Sequence, residues 1–263
     1  MIPFFQYNAF QIGPLTIQVW GLLVSFGIGA AIGTMYALAR RYFLSTEALL
    51  DMSMWALIAG LIGGRLFHVV FYDPAYYLAY PERIIRFWEG GASSFGGFFG
   101  AALAVWVFAK VRHFSWKDLL PYLDVLSIGL WLGWGIGRIG CFFIHDHPGR
   151  LTHFFLAVQY PGGARYDLGL FESLTGFFLF AVTYFLYPRF KKIGGGVTAA
   201  LSWWLYAFIR FWSDFLRATD LPNSDSRYSG LTPAQWAMLV LFIALTFIGV
   251  WGTVRRKRLK QTS

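Results

Sequence analysis

Charge is scarce in this sequence. Asp, Glu, Lys and Arg make up 13% of its 263 residues, against about 25% in an ordinary soluble protein. Cysteine is nearly absent, and the single Cys141 excludes an internal disulfide framework and any cysteine-rich zinc or iron–sulfur site. Met1-Ile-Pro-Phe-Phe5 has neither a basic start nor an Ala-x-Ala cleavage site, so the first membrane helix is expected to double as the targeting signal. No internal repeat, low-complexity tract or second soluble stretch is visible.

Apolar and aromatic residues take up the space. The chain is 57% hydrophobic and 21% aromatic, with 12 Trp and 28 Phe. This profile predicts an all-α polytopic membrane protein and excludes a basic nucleic-acid binder. A hydrocarbon layer of about 30 Å needs about 20 residues per helix. About seven stretches meet that length, near 15–38, 50–72, 94–111, 119–137, 168–188, 196–216 and 233–254. One integral membrane domain is expected over 1–263.

The net charge of +9 is a topology signal. Arg40 and Arg41, then Lys110, Arg112 and Lys117, then Arg189, Lys191 and Lys192, and finally Arg255, Arg256, Lys257, Arg258 and Lys260 fall on one side of a seven-span arrangement. Every lysine is in that set. The positive-inside rule then puts the N-terminus outside and the basic tail, 255–263, in the cytoplasm, against anionic head groups. The remaining basic residues are all arginines: Arg65, Arg83, Arg86, Arg138, Arg150, Arg165, Arg210, Arg217 and Arg227. Arginine offers a planar fork of donors suited to phosphate and carboxylate, so an all-arginine outer half points to oxyanion recognition. The outer loops carry more than linkers. Residues 73–92 mix Tyr76, Tyr77, Tyr80, Arg83, Ile84, Ile85, Phe87 and Trp88, as an interfacial arm would, and 138–167 are expected to form a small extracytoplasmic head.

Several polar residues fall inside the apolar stretches, where they are costly and usually functional. Arg138 lies in Trp134-Gly-Ile-Gly-Arg-Ile-Gly-Cys-Phe-Phe143, a run with no other charge. Arg65 and His68 share a helix face in the second span, behind Gly63-Gly64. Tyr206, Arg210 and Asp214 recur every four residues and continue to Arg217; an Arg210–Asp214 pair is one structural explanation for both. Glu172 opens the fifth span, with Arg138 as its expected partner, and Asp124 is expected to be structural. His145-Asp-His147 is expected to be a turn with hydrogen-bonding histidines. Its residues are too close together for ordinary metal geometry, and no cysteine or distant Glu-x-x-His is seen to complete a set, so no metal is expected. Cys141 is expected to act as a small buried hydrophobe, with nucleophile as the alternative.

Gly137-Arg-Ile-Gly-Cys-Phe-Phe-Ile-His-Asp-His-Pro-Gly-Arg150 resembles the signature of the phosphatidylglycerol–prolipoprotein diacylglyceryl transferases, Gly-Arg-x-Gly-Asn-Phe followed by an acidic residue and Gly-Arg. Trp20-Gly-Leu-Leu, Gly63-Gly-Arg65, Trp88-Glu-Gly-Gly-Ala-Ser93 with Gly96-Gly97, Arg165 to Glu172, and Tyr206 to Arg217 match further pieces of the family pattern in order. The resemblance implies transfer of the diacylglyceryl group of phosphatidylglycerol to the lipobox cysteine of prolipoproteins in a bacterial plasma membrane. Glycerol phosphate leaves, and no cofactor is required. It implies Arg138 and Arg210 as catalytic groups that bind phosphate. Arg65, Asp146, Gly149, Arg150, Glu172, Tyr206, Asp214 and Arg217 are expected on the substrate side. The chain departs from the pattern at Trp20 and His68, where the family has tyrosines, at Phe95, where it has a histidine, and at Cys141, where it has asparagine. His68 is the expected substitute base, with His145 and His147 as alternatives. Two other readings stay open: a lipid transferase with a different acceptor, and a non-catalytic phospholipid-binding or transport protein.

Overall fold

The structure, a computed structural model, describes residues 1–86, 90–221, 224 and 227–261. Phe87 and Trp88 of the expected arm, and the last two residues of the basic tail, lie outside the described residues.

The protein is mostly helical. Helices α1 (Val19–Arg41), α2 (Thr46–Phe71), α4 (Ser94–Val111), α5 (Trp116–Ile144), α6 (Leu168–Ile193) and α8 (Pro233–Gln261, through Val250) are long and apolar enough to cross a membrane. The expected span at 196–216 is α7 (Val197–Ser213), 17 residues long, followed by a 3-10 turn at Asp214–Leu216. A short α3 (Pro74–Ala79) and a 3-10 turn at Pro81–Arg83 fall in the expected arm. The chain forms two compact units, 1–34 with 127–263, and 35–126.

In the 35–126 unit, α2 and α4 pack through glycine. A Cβ on Gly63 would lie 2.6 Å from the Gly96 carbonyl oxygen, and one on Gly60 would lie 3.3 Å from that of Gly97. Two backbones approach this closely only where small residues line both helices. The helix starts are fixed by serine: the Ser45 and Ser93 hydroxyls accept from Ala48 N and Gly96 N.

The other unit uses the same device. A Cβ on Gly27 would lie 2.7 Å from the Gly133 carbonyl oxygen, joining α1 to α5, and one on Gly176 would lie 2.6 Å from Gly135 N, joining α6 to α5. Trp131, Leu179 and Tyr206 form the buried cluster between α5, α6 and α7.

The head is built from strands, an element the sequence reading did not anticipate. β1 (Ile2–Pro3), β5 (Val158–Tyr160), β6 (Gly163–Asp167) and β4 (Pro148–Leu151) form a four-stranded sheet in that order. β1 runs parallel to β5, and the other pairs are antiparallel. A separate hairpin, β2 (Ala9–Ile12) with β3 (Leu15–Gln18), precedes α1. The N-terminal segment also closes α5. Tyr7 N and the Gln6 amide donate to the Phe143 and Ile144 carbonyls, which the helix end leaves without intrahelical donors. His145 follows with φ +52, the left-handed position that ends many helices.

Candidate active site

Helix α5 does not stop before Arg138; it continues to Ile144, so the first seven residues assigned to the head are helical. Arg138 therefore projects from a rigid helix toward α6 and α7. Its Nε lies 2.8 Å from Glu172 Oε2. Glu172 Oε1 accepts from Arg210 Nη1. Arg210 Nη2 is 3.2 Å from Asp214 Oδ1, which also takes Arg217 Nε at 2.5 Å. The Thr232 hydroxyl donates to the other Asp214 oxygen. The expected Glu172–Arg138 and Arg210–Asp214 pairs are thus both present, linked into one chain of charge.

Among the described residues, two carboxylates hold three guanidinium groups in this chain. Both acids are buried, whereas the arginine side chains keep 12 to 21% exposure. Buried acids hold the cations in place. Tyr206, one turn before Arg210 on α7, is buried with its ring 5.0 Å from that of Trp131.

Arg138 has donors to spare. Its guanidinium carbon sits 4.4 Å from the Trp134 ring centroid, a cation–π contact. Among the described residues, its terminal nitrogens meet only Cys141 Sγ, Nη1 at 3.6 Å, a weak acceptor. Glu172 Oε2 lies close to Arg138 but has no hydrogen-bond partner among the described residues, so that contact is an ion pair with poor alignment.

Arg65 is the opposite case. Nε donates to the Ile84 carbonyl, Nη1 to those of Gly90 and Gly91, and Nη2 to those of Arg83 and Arg86. Five donors are all that a guanidinium has. The side chain is buried, and it lies 5.1 Å from the Tyr77 ring centroid. Arg65 thus ties residues 83–86 and 90–91 to α2. His68 lies beside it, stacked on Tyr72 at 5.3 Å and edge-on to Tyr77. Gly91, at φ +76, leaves room for this pair; a Cβ there would lie 2.7 Å from His68 Nε2. Phe95 packs against Phe67 and is 47% exposed.

The head positions the remaining expected residues. Gly149 pairs with Arg217 across an antiparallel bridge, and a Cβ on it would lie 2.6 Å from the Leu216 carbonyl oxygen. Arg165 grips Asp220 with both terminal nitrogens, at 3.0 and 2.5 Å, and also donates to the Gly149 carbonyl. These hydrogen bonds raise the Arg165 pKa and lower that of Asp220. Arg150 is exposed on β4.

The two histidines of the His145-Asp-His147 turn separate. His145 turns inward, 2.6 Å from Asp167 Oδ2 and ringed by Phe4, Phe5, Phe142 and Tyr160. Asp167 also accepts from the Tyr160 hydroxyl at 2.7 Å and caps α6 through Leu170 N. Burial and the Asp167 carboxylate raise the Tyr160 pKa well above the usual phenol range. His147 stays with Asp146 and meets Cys141, so one ligand atom from each of these three lies within 4.8 Å of the others. Cys141 thus stands beside Asp146 and His147, contrary to the expectation that no cysteine completes the set. Cys141 lies one turn before the end of α5, and the left-handed turn at His145 folds the chain back over it.

A family model described as prolipoprotein diacylglyceryl transferase matches residues 7–251. The phosphatidylglycerol–prolipoprotein diacylglyceryl transferase of Ectopseudomonas mendocina is 33% identical over 255 residues, covering 92% of this chain and 93% of the relative. Its counterparts in Nitratidesulfovibrio vulgaris and Azotobacter vinelandii are each 31% identical, covering 95% and 98% of this chain and 93% and 99% of their own lengths. A match of this extent, together with an arginine–carboxylate chain assembled from the residues that carry the resemblance, shows that the chain belongs to the prolipoprotein diacylglyceryl transferase family.

Proposed function

We propose that this protein transfers the diacylglyceryl group of phosphatidylglycerol to the lipobox cysteine thiol of a prolipoprotein. The thiol sulfur attacks the glyceryl carbon that carries the phosphate ester. The carbon–oxygen bond breaks, a thioether forms, and glycerol phosphate leaves with the electron pair. The observation that carries this reading is the Arg138–Glu172–Arg210–Asp214–Arg217 chain, with the unsaturated donors of Arg138 at its end.

Arg138 and Arg210 bind the phosphate and stabilise the charge that grows on the leaving oxygen, a role worth about 10²–10³ in rate per donor removed from comparable sites. Glu172 and Asp214 hold the guanidinium groups apart and aimed, so little reorganisation is needed when the lipid arrives. Arg217 and Gly149 couple the site to the head, and Asp146 and Arg150 face the acceptor peptide. Arg65, with every donor engaged, is a positioning residue for the arm rather than a phosphate ligand. His68 remains the candidate for taking the thiol proton. The chain acts as one membrane domain with seven spans, α7 among them, with its N-terminus and head outside and its tail in the cytoplasm.

The test is reconstitution of the detergent-purified chain with phosphatidylglycerol and a lipobox peptide. Thioether-linked peptide and glycerol phosphate are the expected products. Absence of both, under conditions where a family relative works, removes the proposal.

A further inference from the structure

The thiol must lose a proton before it attacks, and the charged chain around Arg138 offers no idle base for this. Glu172 is held between Arg138 and Arg210, and Asp214 between Arg210, Arg217 and Thr232. Beside that chain stands a different chemistry. Cys141 Sγ, a carboxylate oxygen of Asp146 and a ring nitrogen of His147 lie within 4.8 Å of one another, and Cys141 Sγ is also 3.6 Å from Arg138 Nη1.

We propose that Cys141, Asp146 and His147 hold a zinc ion whose fourth position takes the acceptor thiol. The proposal rests on the transferase reading above and supplies its proton step by a route other than His68.

The donor set selects the metal. One sulfur, one imidazole nitrogen and one carboxylate oxygen suit zinc, whereas calcium and magnesium want oxygen alone. Zinc bonds of about 2.0–2.3 Å put tetrahedral ligands about 3.5 Å apart. The farthest pair must therefore draw together by about an ångström, and the hydrogen-bonded His147 Nδ1 and Asp146 Oδ1 must part to admit the ion; both of these residues sit on the turn after α5. Cys141 is buried on α5 and fixes the inner corner. Asp146 and His147 keep about a third of their side chains exposed, so the fourth corner opens to the outside of the turn. Three protein ligands with one open position is the pattern of catalytic rather than structural zinc.

Charge is consistent with a dication. The Cys141 thiolate and the Asp146 carboxylate balance its two charges, and the nearby Arg138 is matched by Glu172. The order of events is balanced too. Cys141 gives up its proton on binding zinc, because a coordinating thiol is deprotonated. The acceptor thiol then displaces a water from the open position and releases its own proton to solvent. The bound thiolate attacks the glyceryl carbon of a lipid whose phosphate rests on Arg138, and the phosphate ester oxygen departs with the electron pair. The thioether product is neutral, a poorer ligand, and is exchanged for water. Because Cys141 Sγ touches both the zinc corner and Arg138, the nucleophile and the phosphate are brought to neighbouring positions.

The experiment begins with metal content. The full chain, purified in detergent, exposed to micromolar zinc and desalted, is expected to retain about one zinc per chain. Cobalt in its place is expected to give a sulfur-to-cobalt charge-transfer band in the near ultraviolet. Cys141→Asn and His147→Ala are expected to lower zinc affinity by at least about tenfold, and Cys141→Asn to erase the band. His147 sits on an exposed turn, so its variant serves if the buried cysteine variant misfolds, with thermal melts as the control for both. Chelator-stripped protein is expected to lose diacylglyceryl transfer and regain it with zinc. Wild type without zinc and without a cobalt band overturns the site. Bound zinc, with full transfer by the stripped protein, overturns the activating role while leaving the transferase reading intact. Bound zinc with no transfer by any preparation overturns the transferase reading and the activating role with it.

Discussion

Replacing Arg65 and Arg138 by alanine should separate structure from chemistry. Both are arginines inside apolar helices, and only the fate of their donors distinguishes them. Arg65→Ala removes five donors from the carbonyls of Arg83, Ile84, Arg86, Gly90 and Gly91. Gly90 is exposed, so water replaces the donor there; the other four residues are half-buried. An acceptor left dry costs about 1–3 kcal/mol, so even if water reaches two of these four, the other two cost about 2–6 kcal/mol. That is a large share of the 5–15 kcal/mol that typically separates a folded domain from its unfolded chain. Arg138→Ala strands less, because Glu172 keeps Arg210 as a partner. Its stability cost should fall below the roughly 3–5 kcal/mol of a fully broken buried pair. Its rate should fall by about 10²–10³, as for a lost leaving-group donor. The assay is a thermal melt in detergent paired with lipobox-peptide transfer well below the melting temperature. An Arg65→Ala protein with unchanged melting and a greatly reduced rate would refute the distinction drawn from donor saturation. So would Arg138→Ala at the wild-type rate.

Four further outcomes are expected. Glu172→Gln keeps the volume but removes the charge between Arg138 and Arg210, leaving Arg210 its Asp214 partner and Arg138 without a carboxylate among the described residues, so stability should fall by about 3–5 kcal/mol and the rate with it; a stable, active variant would show that the guanidinium groups do not need their spacer. Gly63→Leu would drive a side chain into the Gly96 carbonyl, 2.6 Å from the Cβ position, so the yield of folded protein should collapse. His68→Ala tests the substitute base: transfer at the full rate takes the proton step away from His68. Asp220 has its pKa lowered by the Arg165 hydrogen bonds, so its contribution to stability is present above the ordinary 3.8 and is lost as the pH falls through the lower folded value. Melting of wild type, but not of Asp220→Asn, should therefore carry this acid-side component, and identical pH profiles would exclude it.

The sequence made the helices legible and the head illegible, for a physical reason. A membrane helix announces itself through some twenty apolar residues, a signal that survives errors of several residues at either end. The expected 94–111 matches α4 at both ends, whereas 119–137 falls short of α5 by a full turn and more. Arg138 caused the error. A charge reads as the end of an apolar run, yet here it is neutralised by Glu172 from a neighbouring helix, and no local signal reports a partner 34 residues away. The head strands are two to five residues long, and β4, β5 and β6 carry polar side chains, so they lack the alternation that marks a half-buried sheet. One cue was available: Pro161-Gly-Gly163 joins β5 to β6, and such a dipeptide between two short aromatic segments marks a hairpin.

The arginines show where sequence logic stops. Spacing on α7 was enough to align Tyr206, Arg210 and Asp214, because four residues make one turn of a helix. Type and depth were enough to rank Arg65 with Arg138, because both are forks in an apolar setting. They were not enough to tell a fork that is full from one that is empty, since the acceptors for Arg65 come from backbone 18 to 26 residues later. The same limit applies to Cys141. In sequence it is a lone apolar thiol where the family pattern has asparagine. In space it is the corner at which an anion-binding arginine meets a carboxylate and an imidazole, because a left-handed residue at His145 reverses the chain directly after α5. A histidine pays some strain to occupy that conformation, and a glycine in its place would relieve it. His145→Gly would also lose the Asp167 partner and the aromatic ring around it. The turn is therefore held by what His145 reaches rather than by what its backbone prefers. His145→Gly should loosen the 146–147 segment, weaken cobalt binding at Cys141, and leave the helical circular dichroism of the chain unchanged. Wild-type cobalt affinity in that variant would mean that the turn needs no anchor.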